Sequence, residues 1–220
     1  MDSCYQGGDS MKKKQEKLIK KCITNDNPVI LDIGACKGAT TLFFLKSFPN
    51  SFVYSFEPDD RAISKFIRRR DKYKKIYKRN ILSEYALSDV DGEEDFYSVD
   101  ATGAGSLREP LLLLEPPFNN VIKNIKKVKT KKLDSWYEEN NIGKIDFIWS
   151  DLQGSEDKMI RGGIKCLKNT RFLVIESIKV EAYKGIWNLN EIMSLLPNFK
   201  IIADFKSECR SDIFLENTIY

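Results

Sequence analysis

The sequence predicts an open α/β sheet, and three observations carry that prediction. Short apolar runs rich in branched residues alternate with segments of helical spacing. The first of these runs, Val29 to Ile33, feeds directly into a loop containing Gly34 and Gly38. Four carboxylates, Asp32, Glu57, Asp151 and Glu176, lie in or just after such runs. Open α/β sheets bind ligands at the carboxyl ends of their strands, so these acids sit where a site is expected.

Taken in order, residues 1–10 are polar and expected to fray. Between Met11 and Thr24, Leu18, Ile19, Cys22 and Ile23 recur at helical spacing with lysines opposite, which predicts an amphipathic helix. After the turn Asn25 to Pro28, Val29 to Ile33 reads as a buried strand and Ala39 to Phe48 as the helix that follows. Phe52 to Phe56, Glu57 to Asp59 and Asp60 to Lys72 repeat the rhythm of strand, loop and helix.

Two short strand-like pieces fall between Ile76 and Ser88, and the Asp91-Gly92 turn leads to a strand at Asp95 to Val99. Thr102 to Ser106 reads as a flexible linker or lid, and Pro110 to Pro117 is apolar but broken by prolines. Val128 to Leu133 alternates as a strand, after which Asp134 is expected to cap a helix reaching Asn141. Ile145 to Trp149 is another buried strand, followed by one helix from Ser155 to Leu167 with Ile160, Ile164 and Leu167 inward. Phe172 to Ile175 forms a strand ending at Glu176. A helix from Leu189 to Leu196 and strands around Ile201 and Ile213 to Leu215 close the chain.

A length of 220 residues suits one main domain, 28–220, preceded by an N-terminal tail and helix at 1–27. No run is apolar enough for a membrane span and the N-terminus lacks a signal pattern, so the expectation is a soluble, cytoplasmic protein without membrane contact. The five cysteines are scattered and never paired as Cys-x-x-Cys, which indicates reduced thiols rather than a disulfide frame or a zinc site. The absence of histidine removes the usual general base, the Ser/His and Cys/His nucleophile pairs and every histidine-dependent metal site. Lysine and arginine cluster at Lys12 to Lys21, Arg68 to Arg79 and Lys123 to Lys132. Each cluster is either a solvated face or a strip for RNA phosphates, with 32 acidic residues elsewhere offsetting the charge.

Glu57 lies 25 positions after Asp32. In dinucleotide-binding folds an acid about 20 residues beyond the glycine loop holds ribose hydroxyls. The loop here is Gly34-x-x-x-Gly38, which lacks the glycine pattern that fits a pyrophosphate. A nucleoside ligand without pyrophosphate suits it better, and S-adenosylmethionine is the common one.

Five blocks then line up in order: Asp32-Ile33-Gly34-Ala35-x-x-Gly38, Glu57-Pro58, Ala86-Leu87-Ser88-Asp89-x-x-Gly92, Leu133-Asp134, and Ile145 to Glu156 with its Asp151-Leu152-Gln153-Gly154-Ser155-Glu156 ending. This series resembles the FkbM family of S-adenosylmethionine-dependent methyltransferases. Glu176, Tyr183-x-Gly185 and Ser211-Asp212-x-Phe214 extend the resemblance, so it covers roughly residues 28 to 216. It implies a Rossmann-like class I methyltransferase fold: a mostly parallel central sheet, helices on both faces and an antiparallel C-terminal strand. It also implies that the backbone around Gly34 and Ala35 holds the methionine part and that Glu57, beside Pro58, bonds the ribose hydroxyls. Leu87 would pack on the adenine or belong to the core, and Ser88 or Asp89 would lie near the exocyclic amine or simply open a turn. Two departures stand out: Cys36 replaces a frequent asparagine and Trp149 a frequent lysine.

Methyl transfer from a sulfonium rests mainly on positioning, because the donor is already electrophilic. A hydroxyl acceptor still loses a proton, and without histidine the candidates are Asp151, Glu156 and Glu176. Asp151, directly after its strand, is the favoured base. Glu156 alternatively caps the next helix, Glu176 is a supporting acid or a solvated strand end, and Gln153 orients substrate or bonds backbone. A divalent metal on these carboxylates is chemically conceivable but not required. The expected acceptor is a hydroxyl of a sugar, glycan or other small molecule. RNA ribose or cap methylation and a non-catalytic nucleoside- or RNA-binding module are the alternatives.

Overall fold

A computed structural model of the chain describes residues 9–111 and 121–220. Cys4 and the proline-broken stretch beyond Leu111 lie outside the described residues. The elements follow the order α1 (Asp9–Cys22), β1 (Val29–Ile33), α2 (Ala39–Ser47), β2 (Phe52–Phe56), α3 (Asp60–Lys72) and a 3-10 turn (Ile76–Arg79). Then come β3 (Asn80–Ser83), β4 (Ala86–Ser88), β5 (Gly92–Val99), β6 (Ile122–Lys132), α4 (Leu133–Glu139) and β7 (Ile145–Ser150). The chain finishes with α5 (Glu156–Arg161), α6 (Ile164–Lys168), β8 (Thr170–Ile178), α7 (Leu189–Ser194), β9 (Phe199–Lys206) and β10 (Arg210–Asn217).

Seven strands form the main sheet in the order β3-β2-β1-β7-β8-β10-β9. The first five run parallel, and β10 enters antiparallel between β8 and β9. The chain builds outward from β1 to β3 and then returns to the other side of β1 with β7. That reversal falls at the carboxyl ends of β1 and β7, the place where sheets of this kind take their ligand. A three-stranded sheet, β4-β6-β5, stands beside it.

The period-2 alternation of β1 divides the core. Leu31 and Ile33 pack with Leu133, Trp136, Met159, Ile160, Leu167 and Ile192 of α4 to α7, whereas Ile30 packs with Ile19, Phe44, Leu45 and Phe66 of α1 to α3. Helices therefore cover both faces, and each fully buried Leu, Ile or Phe contributes about 1.5–3 kcal/mol. Trp136 stands edge-on to Tyr54 and Phe56 at 5.0 and 5.1 Å, fixing α4 over β2.

Several sequence expectations change. The helix expected from Ser155 to Leu167 is two helices, because Gly162 and Gly163 interrupt it; a Cβ at Gly162 would stand 2.0 Å from the Ser88 carbonyl oxygen. Ile164 is consequently 42% exposed rather than inward. Asp134 does not cap α4. Its carboxylate accepts from Lys165 N and Cys166 N at 3.0 and 2.7 Å and caps α6 instead. β8 continues two residues past Glu176, which thus sits inside the strand opposite Asp212 of β10.

Part of the basic character is structural. Arg79 donates to the carbonyls of Leu45, Phe48 and Ser51 at 2.9–3.2 Å, satisfying the open C-terminal end of α2. On β6, Lys126 pairs with Asp59 and Asp60, Lys127 with Asp95, and Lys131 with Glu139. Among the described residues no helix is long and apolar enough to cross a membrane, and Cys22, Cys36, Cys166 and Cys209 are free thiols.

Candidate active site

The loop after β1 is a set of backbone turns held from two sides. Gly34 N and Ala35 N both donate to the Phe56 carbonyl at 3.0 Å, and Gly34 has φ +81°. A Cβ on Gly34 would lie 2.0 Å from the Asp151 carbonyl oxygen, so this glycine allows the ends of β1 and β7 to touch. Gly38, with φ +72°, opens α2, and the Tyr77 hydroxyl donates to its carbonyl at 2.8 Å.

Glu57 ties this loop to the next one. Its Oε2 accepts from Cys36 N and its Oε1 from Asp59 N, each at 2.8 Å. Burial pushes its carboxyl up to about 7, with the charges of Asp59 and Asp151 raising it further against these two N–H bonds. Each oxygen keeps a second acceptor position, which is what a ribose diol requires.

A cleft opens between these loops. It is lined by Gly34, Glu57 and Pro58 on one side, by Asp151 and Gln153 at the end of β7, and by Phe56, Tyr85, Leu87, Phe96 and Leu107 along an apolar wall. Residues 101–111 form a strap across it, with Gly103, Gly105, Ser106 and Leu107 facing in. Gly105 is held so close to the Phe96 ring that a Cβ would sit at 2.6 Å.

Asp151 N donates to the Ile33 carbonyl at 2.9 Å, and its side-chain Oδ1 accepts from Gln153 Nε2 at 2.5 Å. Burial raises its pKa, while the Gln153 bond and the nearby Arg210 charge act in the opposite direction. Glu176 accepts from Gln153 at 3.1 Å and from Arg210 at 2.8 Å, and burial together with Asp151 raises it well above the carboxylate range. Asp212 alongside accepts from Gln15 of α1 at 2.6 Å and is pushed up to about 6 by burial. The Asp151 and Glu176 carboxylates thus share one amide donor.

The structure brings Gly34, Glu57, Pro58, Leu87 and Asp151 around this one cleft, with Ala35 and Gly38 shaping the loop. It places the other predicted site residues elsewhere. Asp32 points toward α2, where its Oδ2 accepts from Thr41 while its Oδ1 is buried without a partner; burial lifts it to about 7. Ser88 is buried and donates to Glu94, and Asp89 pairs with Arg161 at 3.0 Å. Glu156 accepts from Leu152 N at 2.8 Å, closing the 152–156 turn, and burial pushes it up to about 8. Sequence reading missed Tyr85, Phe96, Ser106 and Leu107 as cleft lining: Phe96 lies within β5 and the others in irregular segments, and each is signalled only by an apolar or small side chain. Trp149 packs edge-on to Phe214 at 6.3 Å. Among the described residues no group of carboxylates or thiols is arranged to hold a metal ion.

The donor set fits S-adenosylmethionine. A buried acid at the end of β2 suits ribose hydroxyls, the apolar wall suits a flat base, and a carboxylate-rich floor suits a ligand carrying sulfonium and ammonium charge. The fold is that of class I methyltransferases. It resembles the crystal structure of a methyltransferase FkbM from Methylobacillus flagellatus, with TM-score 0.57, 14% identity, and 86% of this chain and 44% of that one covered. The chain therefore spans less than half the length of that protein. An rRNA methylase from Streptococcus thermophilus matches with TM-score 0.54 at 11% identity, over 93% of this chain and 94% of that one. A family model described as the methyltransferase FkbM domain matches residues 32–209. The 2-O-methyltransferase NoeI of Sinorhizobium fredii is 35% identical over 216 residues, 93% of this chain and 86% of that protein. The chain belongs to the FkbM family of S-adenosylmethionine-dependent methyltransferases.

The buried acids make stability depend on pH. Asp32, Glu57 and Glu156 hold their protons up to about 7, 7 and 8 when folded, and release them near 4 when unfolded. Between those limits the folded state binds more protons, so their stabilising contribution is complete below about pH 4 and lost by about pH 8. The melting temperature of the cofactor-free protein is expected to fall by roughly 5 °C or more between pH 5.5 and 8.5. A flat profile in a calorimetric scan would mean that these carboxyls are not held neutral.

Proposed function

We propose that the protein transfers the methyl group of S-adenosylmethionine to a hydroxyl of a sugar or other small molecule. The observation that carries this reading is Asp151, a carboxylate of raised pKa lining the cleft beside Gly34, in a chain without histidine. A raised pKa makes a stronger base of a group that is ordinarily a weak one. The name of NoeI, a 2-O-methyltransferase, directs the choice of acceptor toward a hydroxyl.

The cofactor supplies an electrophilic methyl carbon on sulfur when bound. In this reading Glu57 accepts hydrogen bonds from the ribose hydroxyls, and Leu87, Phe56 and Phe96 flank the adenine. The turn at Gly34 and Ala35 receives the methionine part. Asp151 takes the acceptor's hydroxyl proton as the new carbon–oxygen bond forms and the carbon–sulfur bond breaks. The strap residues exclude water from that step. In this reading Glu176 and Glu156 tune Asp151 rather than meet substrate.

RNA methylation has less support, because lysines of the 123–132 cluster are paired with acids and Arg79 is spent on helix carbonyls. The deciding experiment incubates the protein with methyl-labelled S-adenosylmethionine and separate RNA, glycan and metabolite fractions. Label in the glycan or metabolite fraction supports the proposal; label confined to RNA overturns it. Glu57→Ala is expected to weaken cofactor binding by about 30-fold or more in calorimetry, as a hydrogen bond to a charged group contributes about 1.5–3 kcal/mol. Unchanged affinity would remove Glu57 from the ribose.

A further inference from the structure

The hydrogen bonds around Gln153 join three distant parts of the chain. Its amide Nε2 donates to Asp151 Oδ1 at 2.5 Å and to Glu176 Oε2 at 3.1 Å. Its Oε1 accepts from the Tyr183 hydroxyl at 3.2 Å, and that hydroxyl also lies 3.2 Å from the Ala104 carbonyl. Its backbone carbonyl accepts from the Ser106 hydroxyl at 2.9 Å. Ala104 and Ser106 belong to the strap, which is bound to the Tyr183 segment by Leu111 N to Ala182 O and Lys184 N to Glu109 O, both 2.8 Å. Gln153, Ser106 and Tyr183 are all buried.

Gln153 has φ +52°, a left-handed conformation that costs a residue with a Cβ about 1–2 kcal/mol. Such strain persists where surrounding contacts hold it, and here the Ser106 and Tyr183 bonds grip the residue from the strap and from the 182–184 segment. The side-chain type is also specific. A carboxamide offers two N–H groups on one side and an acceptor on the other, so one group can face two carboxylates and a phenol at once. Glutamate would add another negative charge, and asparagine would fall short by one methylene.

We propose that Gln153 is a positioning residue: its carboxamide fixes Asp151 at the cleft floor and, through Tyr183, couples that placement to the seating of the strap across the cleft. The role of Asp151 in this inference rests on the methyl-transfer reading of the site. When Asp151 and Glu176 are ionised, the amide must turn its N–H groups toward them, which leaves its oxygen for Tyr183. When one of them is protonated, the amide can turn over and accept from it, releasing Tyr183. The groups facing this pair are Glu57 after β2, Glu156 of α5, and Arg210 and Asp212 of β10. Asp32 of β1 and Cys36 feel the Asp151 charge as well. Tyr183→Phe alters none of these side chains.

The test uses the cofactor-free full chain. Carboxyl-carbon NMR follows the titration of the Asp151 and Glu176 pair, and hydrogen exchange follows amides 101–111, in the wild type, Tyr183→Phe and Gln153→Leu. Tyr183→Phe, which removes one oxygen and leaves both acids in place, is expected to raise the titration midpoint by about half a pH unit and to speed strap exchange about fivefold or more. Gln153→Leu is expected to do both more strongly; should it fail to fold, Tyr183→Phe still decides. An unchanged midpoint in Tyr183→Phe overturns the coupling, whether or not the strap loosens, because a merely structural hydroxyl has no route to the acids. Neither readout needs donor or acceptor, so a failed methyl-transfer assay and a failed coupling are separate results.

Discussion

Replacing Asp151 by asparagine is expected to slow methyl transfer by about 10²–10⁴-fold, the range spanned by positioned general bases. Asparagine keeps the size of the side chain, and its oxygen can still accept from Gln153, so the cleft floor should hold its shape. The measurement is single-turnover transfer of label from saturating S-adenosylmethionine, once the accepting fraction is known. In the wild type the rate should rise with pH as Asp151 releases its proton, with a midpoint shifted upward from that of an ordinary aspartate because burial raises it. A variant retaining more than about a tenth of the rate would place the base elsewhere, since loss of a general base costs at least about a hundredfold. Glu176, joined to Asp151 through the Gln153 amide, would then be the next candidate.

The second large effect concerns Gly34→Ala. The new Cβ would stand 2.0 Å from the Asp151 carbonyl oxygen, and the backbone at φ +81° disfavours any side chain. The left-handed conformation costs about 1–2 kcal/mol and the overpacking about 1–3 kcal/mol. Together they predict a loss of about 2–5 kcal/mol, equivalent to a fall of roughly 5–15 °C in melting temperature for a chain of this size. Because the clash is with backbone, relief requires the ends of β1 and β7 to separate, and cofactor binding should be lost with it. A melting temperature within about 2 °C of wild type would refute the close approach.

Much of the scaffold was legible because its signals are local. The apolar runs of β1 and β2 and the loop-to-helix change at Asp60 mark those elements without help from the rest of the chain. β6 was less legible: its first half is lysine-rich and loses the strand pattern, and it is held by cross-strand pairs such as Lys127 with Asp95. The break at Gly162 answers to the Ser88 carbonyl, more than 70 residues away in sequence, and Asp134 serves a helix it does not belong to.

The candidate site divides along the same line. Gly34, Glu57 and Asp151 follow directly from strand ends, and the sheet order brings them together. The fates of Asp89 and Glu156 were open in the sequence, since what holds each is a particular donor: the Arg161 guanidinium for one and the Leu152 N–H for the other. Tyr183 and Ser106 gain their meaning only from the strap, whose pairing with residues 182–184 no periodicity announces.

The acids that burial lifts to about 7, Asp32 and Glu57, have a consequence for how this enzyme's titrations are to be read. An inflection near neutrality is conventionally assigned to an imidazole. This chain contains none, so among its side chains the neutral range belongs to carboxyl groups taken out of water. They differ from imidazole in the sign of what they become: losing the proton creates a negative charge where histidine would shed a positive one. The cleft of this methyltransferase therefore grows more attractive to a cationic donor as pH rises, the same direction in which the fold beneath it loosens.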